Sequence, residues 1–138
     1  RQGAADPISF QDLEAAFAAA SQDLRDEVRL VRAFLNEKLR DPFARFGVGW
    51  GNRFERQLER FVPVVLEANG SFTEAVDHLV ATKLVRKIED RFGVRPEDLD
   101  AFADKIEKLW EGLDQEAPSK TTSRIRKEAS RLRGGYGA

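Results

Sequence analysis

The chain of 138 residues contains no cysteine, no methionine and a single histidine. The lack of cysteine excludes disulfides, a thiolate nucleophile and cysteine-ligated metals, and it is compatible with the reducing cytoplasm where we expect the protein. Since even position 1 is not methionine, we expect a processed product or a piece of a longer protein. His78 is without the H-x-x-x-H or E-x-x-H spacing of helical metal sites, so we predict no metal site and interpret it as a surface or boundary histidine, with a general base as the alternative.

Long apolar runs are also missing. No stretch approaches the roughly 20 apolar residues that span a bilayer, and the start does not resemble a signal peptide, so we expect no membrane partner. The phosphate-loop pattern G-x-x-x-x-G-K-[ST] and a strand followed by G-x-G-x-x-G are both absent from the sequence. We therefore expect no catalytic residue and no cofactor in this chain alone.

Charge is abundant but balanced. Charged residues make up 34% of the chain and hydrophobic residues 41%, with a net charge of −1. This mixture favours a helical protein whose solvated faces carry ion pairs. Because the total charge is near zero, any attraction for nucleic acid must come from a local basic patch.

The apolar residues recur with helical spacing, and no stretch alternates with a period of two. We therefore predict an all-α bundle of five or six helices without a sheet. One lid-like helical domain is expected over 9–135, between a loose start at 1–8 and a tail at 136–138. The predicted helices cover about 9–20, 22–40, 53–68, 72–92, 96–113 and 120–133.

Several residues set the predicted helix ends. Ser21 divides the first helical stretch in two, and Asp41-Pro42 ends the second part because proline disfavours helix at the residue before it. Asn52 is the expected N-cap of the next helix. Pro63 lies inside that helix, and we expect it to kink or divide it.

The centre of the chain carries a strong turn signal. Gly70 is expected to take the left-handed conformation that ends a helix. Ser71 and Glu74 then form an S-x-x-E capping box for the next helix. That helix is expected to bury Phe92 at its end and to stop at Gly93.

The segment 46–51, FGVGWG, is the most glycine-rich part of the chain. It lacks the lysine and the preceding strand of a phosphate-binding loop, so we interpret it as a hinge or contact loop. Its candidate residues are Gly47, Gly49, Trp50 and Gly51.

Arg53 follows this loop, in the first turn of a predicted helix. The positive end of the helix dipole disfavours a cation there, unless an anion such as a phosphate shares the site. The alternative is a solvated arginine, or one paired with the nearby Glu55 and Glu59. Spacing alone leaves both interpretations open.

The last predicted helix is strongly basic, with Glu128 as its one acid. It is either a bundle helix with a narrow apolar stripe or a surface that binds nucleic acid or a protein partner. The candidate contacts are Lys120, Arg124, Arg126, Lys127 and Arg131.

The central residues resemble a known family. Trp50-Gly51-Asn52-Arg53-Phe54, followed by Leu58 and Arg60-Phe61, resembles the start of the C-terminal helical lid of AAA+ ATPases close to the modified-cytosine restriction GTPase and the MoxR-like group. The next helix is similar to the same lid in Phe72, Glu74-Ala75-Val76-Asp77, Val80, Lys83-Leu84 and Lys87-Ile88. The end of the chain also looks like the closing helix of that lid, in Ser119, Arg124-Ile125-Arg126, Leu132 and Gly135-Tyr136.

The resemblance spans about 22–136 and implies a lid of a P-loop nucleotide hydrolase. In that family an arginine at the position of Arg53 contacts the γ-phosphate of ATP or GTP, which the nucleotide-binding core holds with magnesium. The implied partners are that core and a ring of identical subunits. Arg86 departs from the family pattern, where proline is usual, and Val48-Gly49 makes the approach loop atypical. The alternative function is a freestanding helical module that binds nucleic acid or protein through 120–133.

Overall fold

A computed structural model describes residues 10–113 and 116–134, and this part of the chain contains five helices and no strand. The predicted all-α bundle is therefore confirmed. The predictions for 1–8 and 136–138 lie outside the described residues. In chain order the helices are α1 over 10–44, α2 at Asn52–Glu67, α3 over 72–89, α4 at Pro96–Glu111 and α5 at Ser119–Gly134.

Two of the helices contain a π-helical turn. In α1 an α-helical part, Phe10–Phe34, leads into a π turn at Leu35–Leu39 and then into Arg40–Ala44. In α3 the order is Phe72–Leu79, a π turn at Val80–Val85 and Arg86–Glu89. Such turns insert one residue into the helix and are frequent at functional sites. Each one rotates the side chains that follow it by about 100° relative to an uninterrupted helix.

The core forms where apolar stripes of all five helices meet. Trp110 on α4 is at its centre, with its ring edge-on to Phe34 at 4.8 Å between centroids. The indole N–H of Trp110 donates to the buried hydroxyl of Thr73 at 3.1 Å. Fully buried residues from the other helices complete the core, among them Leu35, Leu39, Phe43, Leu58, Leu84, Ile88 and Ile125.

The first predicted helix boundaries were wrong. α1 continues past Ser21, and it also continues through Asp41-Pro42 to Ala44. Pro42 is the third residue of the α-helical part that follows the π turn, and proline is tolerated in the first turn of an α-helix. Similarly, α2 runs without a break through Pro63.

The start of α2 also differs from the prediction. Its N-cap is Gly51 in an extended conformation, and no side chain caps it, whereas Asn52 is already the first helical residue. The helix therefore begins without the hydrogen bond that an asparagine cap would have supplied.

The turn between α2 and α3 uses its residues differently from the prediction. Asn69, with φ of 64°, takes the left-handed conformation that we expected of Gly70. Glycine is required at position 70 for a different reason, because a Cβ there would lie 2.4 Å from the Val65 side chain and would clash with it. The hydroxyl of Ser71 accepts the backbone N–H of Glu74 at 3.0 Å, which confirms the N-cap.

α3 ends earlier than its apolar spacing predicts. Its last helical residue is Glu89, and the chain turns at Gly93, where φ is +76°. Phe92 is fully exposed, so the prediction that it is buried was wrong. The four-residue step from Ile88 to Phe92 brings two side chains to the same face only within a continuous helix.

α5 is held in place by an aspartate from α3. The buried carboxylate of Asp77 accepts the backbone N–H of Thr121 at 2.7 Å and that of Lys120 at 2.9 Å. The Thr121 hydroxyl donates back to the Asp77 carbonyl at 3.2 Å. A residue 43 positions away in sequence thus caps the helix and places a negative charge at its positive end.

None of the helices in the described part is long and apolar enough to cross a membrane.

Candidate functional site

The glycine-rich loop between α1 and α2 is tied to the bundle by three cationic side chains. Each donates to a backbone carbonyl of the loop: Arg40 to Trp50 at 3.4 Å, Lys87 to Gly49 at 3.3 Å and Arg91 to Gly47. Arg40 follows the π turn of α1, and Lys87 follows the π turn of α3. The rotation introduced by these turns therefore contributes to the direction in which both cations point.

Trp50 fixes the centre of this loop. Its ring lies edge-on to Phe43 at 6.1 Å between centroids, and the Arg40 guanidinium lies 4.6 Å from its centroid. That distance is within the range of a cation–π contact. The indole N–H of Trp50 is buried and has no acceptor among the described residues.

Two glycines leave the outer side of the loop open. A Cβ placed on Gly49 or Gly51 would meet no atom within 4 Å. Gly47 instead has φ of +71°, a left-handed conformation in which side chains other than glycine are strained. Among the four candidate loop residues, Gly47 is thus needed for the shape of the turn, and Gly49 and Gly51 leave space for a neighbouring group.

Arg53 lies directly after this open side, in the first turn of α2. It is exposed, and within the described residues it has no ion-pair partner. The N–H groups of Asn52, Arg53 and Phe54 likewise donate to no described backbone carbonyl, as is normal where a helix begins without a cap. The guanidinium of Arg53 and several backbone N–H donors are therefore found together at the start of α2.

The acids that could have neutralised Arg53 point elsewhere. Glu59 accepts the Nε of Arg32 at 2.9 Å, and Glu55 lies 3.6 Å from the same Nε. Glu55 also pairs with Arg40 at 3.4 Å. Both carboxylates are therefore bound to α1, and the sequence-based alternative of an Arg53 paired with Glu55 or Glu59 is not what the structure contains.

The terminal helix has a different electrostatic environment. Its arginines form ion pairs with acids of the neighbouring helices or of α5 itself: Arg124 with Glu89, Arg126 with Asp104 and Glu107, Arg131 with Glu128, and Arg133 with Asp100. Their charge is largely balanced within the bundle. Of the five candidate contacts, the exposed Lys120 and Lys127 are the two without an ion-pair partner among the described residues.

The pair between Arg124 and Glu89 is the most closely formed of these. The Nε and Nη2 atoms of Arg124 donate to the two carboxylate oxygens at 2.6 and 2.8 Å, a bidentate arrangement. These hydrogen bonds raise the pKa of the Arg124 guanidinium. In the same way, the hydrogen bonds that Arg126 donates to Glu107 and, with a smaller effect, to Asp104 raise the pKa of its guanidinium. The first contact joins α5 to α3, and the second joins α5 to α4.

His78 is half-buried beside Phe61, with 5.5 Å between the ring centroids. Within 10–113 and 116–134, no group of three histidine, aspartate or glutamate side chains is arranged to hold a metal ion. The histidine packs against Phe61 at the edge of the core.

Sequence reasoning singled out Arg53 and the glycine loop but missed the residues that hold the loop. Arg40, Lys87 and Arg91 are 10, 38 and 44 positions away from the carbonyls they bind. No local motif marks them. The closest signal was the excess of cations late in the 72–92 helical segment, which a solvated helix face explains equally well.

Comparisons with known proteins add no further constraint, since the chain matches no protein family, no curated protein and no solved structure.

Proposed function

We propose that this chain is the helical lid of a P-loop nucleotide hydrolase, and that Arg53 contacts a phosphate of the nucleotide. The observation that carries the proposal is the start of α2. An exposed arginine lies there beside backbone N–H donors without acceptors, and the acids of its own helix are bound to α1. A cation at the positive end of a helix is unfavourable unless an anion joins it.

Phosphate oxygens are suitable acceptors for both the arginine guanidinium and the backbone N–H groups at the start of α2. Arginine binds a phosphate through two parallel N–H groups, and helix N-termini bind phosphates through backbone N–H groups. In a hydrolase the same contacts stabilise the charge that develops on the transferred phosphoryl group. ATP or GTP and its magnesium belong to the core in this proposal, so the chain is not catalytic alone.

The glycine loop directly precedes Arg53 and is hydrogen-bonded to side chains of α1 and α3. Because Arg40 of α1 and Lys87 of α3 donate to carbonyls of the loop, we expect a movement of the loop to be transmitted to both helices. Lids of this kind close over a bound ligand and reopen on its release. The same proposal includes contact with the nucleotide-binding core, assembly into a ring of identical subunits, and a cytoplasmic location.

The test uses a protein that joins this chain to its nucleotide-binding core. Because Arg53 is proposed to reach the terminal phosphate, Arg53→Ala should weaken the binding of a nucleoside triphosphate but not of the diphosphate. A charge-assisted hydrogen bond contributes about 1.5–3 kcal/mol, which corresponds to roughly 10- to 150-fold in affinity. Arg86→Ala is the control, since Arg86 is exposed on α3 and forms no ion pair among the described residues. Equal loss for both nucleotides, or no loss, would contradict the assignment.

The alternative function, a freestanding module that binds through 120–133, has less support. Four arginines of this helix are already paired with carboxylates of the bundle. Binding a new anion there would require breaking those pairs or sharing them.

A further inference from the structure

We propose that two copies of this chain pair through a cleft between α1 and α4, and that Phe92 of each copy enters the cleft of the other. The cleft, called here the α1–α4 cleft, has a volume of about 770 Å³ and is lined by the end of α1, the loop after it and α4. The inference does not involve Arg53 and does not depend on the function proposed above. A two-fold contact closes on itself, so the ring of that proposal would use another surface.

Aromatic rings fill the space between the two helices beneath the cleft. Phe34 of α1 lies edge-on to Trp110 of α4 at 4.8 Å between centroids. Phe43 of α1 lies edge-on to Phe102 of α4 at 4.9 Å. The two helices are therefore joined through large side chains, and the cleft lies above these rings.

The floor of the cleft is apolar and partly uncovered. It consists of Pro42, Phe46, Ala101, Phe102 and Leu109. The rings of Phe46 and Phe102 are in contact, with 4.7 Å between centroids, and Phe46 and Leu109 are only half-buried. An aromatic ring from another molecule would remove this surface from water and pack against rings that are already in place.

The rim of the cleft carries equal numbers of acids and bases, namely Glu37, Asp41, Asp98, Lys38, Arg45 and Lys105. Within the described part of the chain, none of these six side chains forms an ion pair or a hydrogen bond. Asp100 and Asp104, on another side of α4, are by contrast paired with arginines of α5. A two-fold interface places a surface against a copy of itself, so charges of both signs on one surface can neutralise each other across it.

Phe92 supplies an apolar group that suits this cleft. Its side chain is fully exposed on the turn between α3 and α4, where Gly93 has φ of +76°. The ring contributes no burial to the fold of its own chain, since its apolar surface remains in water. Asp90 and Arg95 on either side of it are exposed, and Arg95 has only a long contact of 3.6 Å with Glu97. The turn thus carries an aromatic ring between charges of both signs, which matches the apolar floor and mixed rim of the cleft.

The Phe92 turn and the cleft are neighbours in the molecule. Arg91 donates to the carbonyl of Gly47, the residue that follows Phe46 of the cleft floor. Asp98 of the rim lies in the first turn of α4, shortly after Phe92. When two complementary features share one surface, a two-fold axis lets each contact form twice. This doubling matters because a single inserted ring buries much less than the area of a stable interface.

The test is the molar mass of the chain by sedimentation equilibrium at concentrations up to about 1 mM, which includes weak interfaces. The wild-type chain should form a dimer. Phe92→Ser should raise its dissociation constant at least about 30-fold, the loss typical of a central interface residue. Ala101→Trp fills the cleft from an exposed position and should have a similar effect. Val64→Ser is the control, because Val64 is an apolar residue exposed on α2, and it should leave the dimer unchanged.

A mixture of the two variants tests whether the contact is the one proposed. The Phe92→Ser copy retains an open cleft, and the Ala101→Trp copy retains Phe92, so one of the two contacts can still form between them. The mixture should therefore associate more strongly than either variant alone.

Four results would overturn the proposal. They are a wild-type chain that remains monomeric at about 1 mM, a loss in Val64→Ser as large as that in Phe92→Ser, a mixture that associates no better than its components, and a mass that rises beyond the dimer. The last result would indicate a head-to-tail contact instead of a two-fold one. Circular dichroism of each variant confirms that its helices are intact.

Discussion

Asp77 is the residue whose replacement tests the packing of the bundle most sharply. It is buried on α3, and its two carboxylate oxygens accept the N–H groups of Lys120 and Thr121 at the start of α5. Asp77→Ala removes both acceptors at once and leaves two N–H groups without partners. Asp77→Asn retains one acceptor but turns an NH₂ group toward the other donor.

The expected magnitude follows from these contacts. Loss of an N-cap costs about 0.5–2 kcal/mol, and a buried donor left without an acceptor costs about 1–3 kcal/mol. The terms overlap, so we expect Asp77→Ala to lower the free energy of unfolding by about 3 kcal/mol and Asp77→Asn by about half of that. For a chain of this size, 3 kcal/mol corresponds to a decrease in Tm of roughly 10 °C.

Urea unfolding followed by helix circular dichroism measures this change. Asp90→Ala is the matched control, because Asp90 is exposed beyond the end of α3 and forms no ion pair among the described residues. Its effect should remain within about 0.5 kcal/mol. If Asp77→Ala were no less stable than Asp90→Ala, or no less stable than Asp77→Asn, the capping of α5 by this carboxylate would be refuted.

Two further stability predictions concern contacts between helices. Thr73→Val retains the shape of the side chain but leaves the buried indole N–H of Trp110 without its acceptor, which should cost about 1–3 kcal/mol in urea unfolding; wild-type stability would show that another acceptor replaces the hydroxyl. A double-mutant cycle of Arg124→Ala and Glu89→Ala should give a coupling energy of about 1 kcal/mol, the upper end for exposed pairs, because the contact is bidentate and half-buried. A coupling energy indistinguishable from zero would mean that the two side chains are separated in solution.

The helical class and most helix positions could be predicted from the sequence because they depend on local spacing. The apolar stripes, the Ser71 cap and the proline at the start of α4 are local features, and all three occur in the structure. The π turns could not be predicted in this way. Their formation depends on the packing of the helix against its neighbours, and no local sequence pattern marks the inserted residue. The continuation through Pro42 follows from one of these turns.

The same limit applies to the candidate site: features set by neighbouring residues in sequence could be predicted, and contacts between helices could not. The position of Arg53 in the first turn of a helix was predictable from the glycines that precede it. That Glu55 and Glu59 pair with Arg32 was not, because the partner lies on another helix. The same holds for α5, whose basic residues suggested a binding surface before the acids of α4 were known to lie opposite them.

The most direct test of the proposed function is nucleotide turnover by a protein that contains both this chain and its core. Arginine and backbone donors at a transferring phosphoryl group contribute about 10²-fold or more to turnover. We predict that Arg53→Ala lowers kcat by at least about 10²-fold with the melting temperature unchanged, while Arg86→Ala retains the wild-type kcat. Wild-type turnover in a folded Arg53→Ala protein would contradict the account.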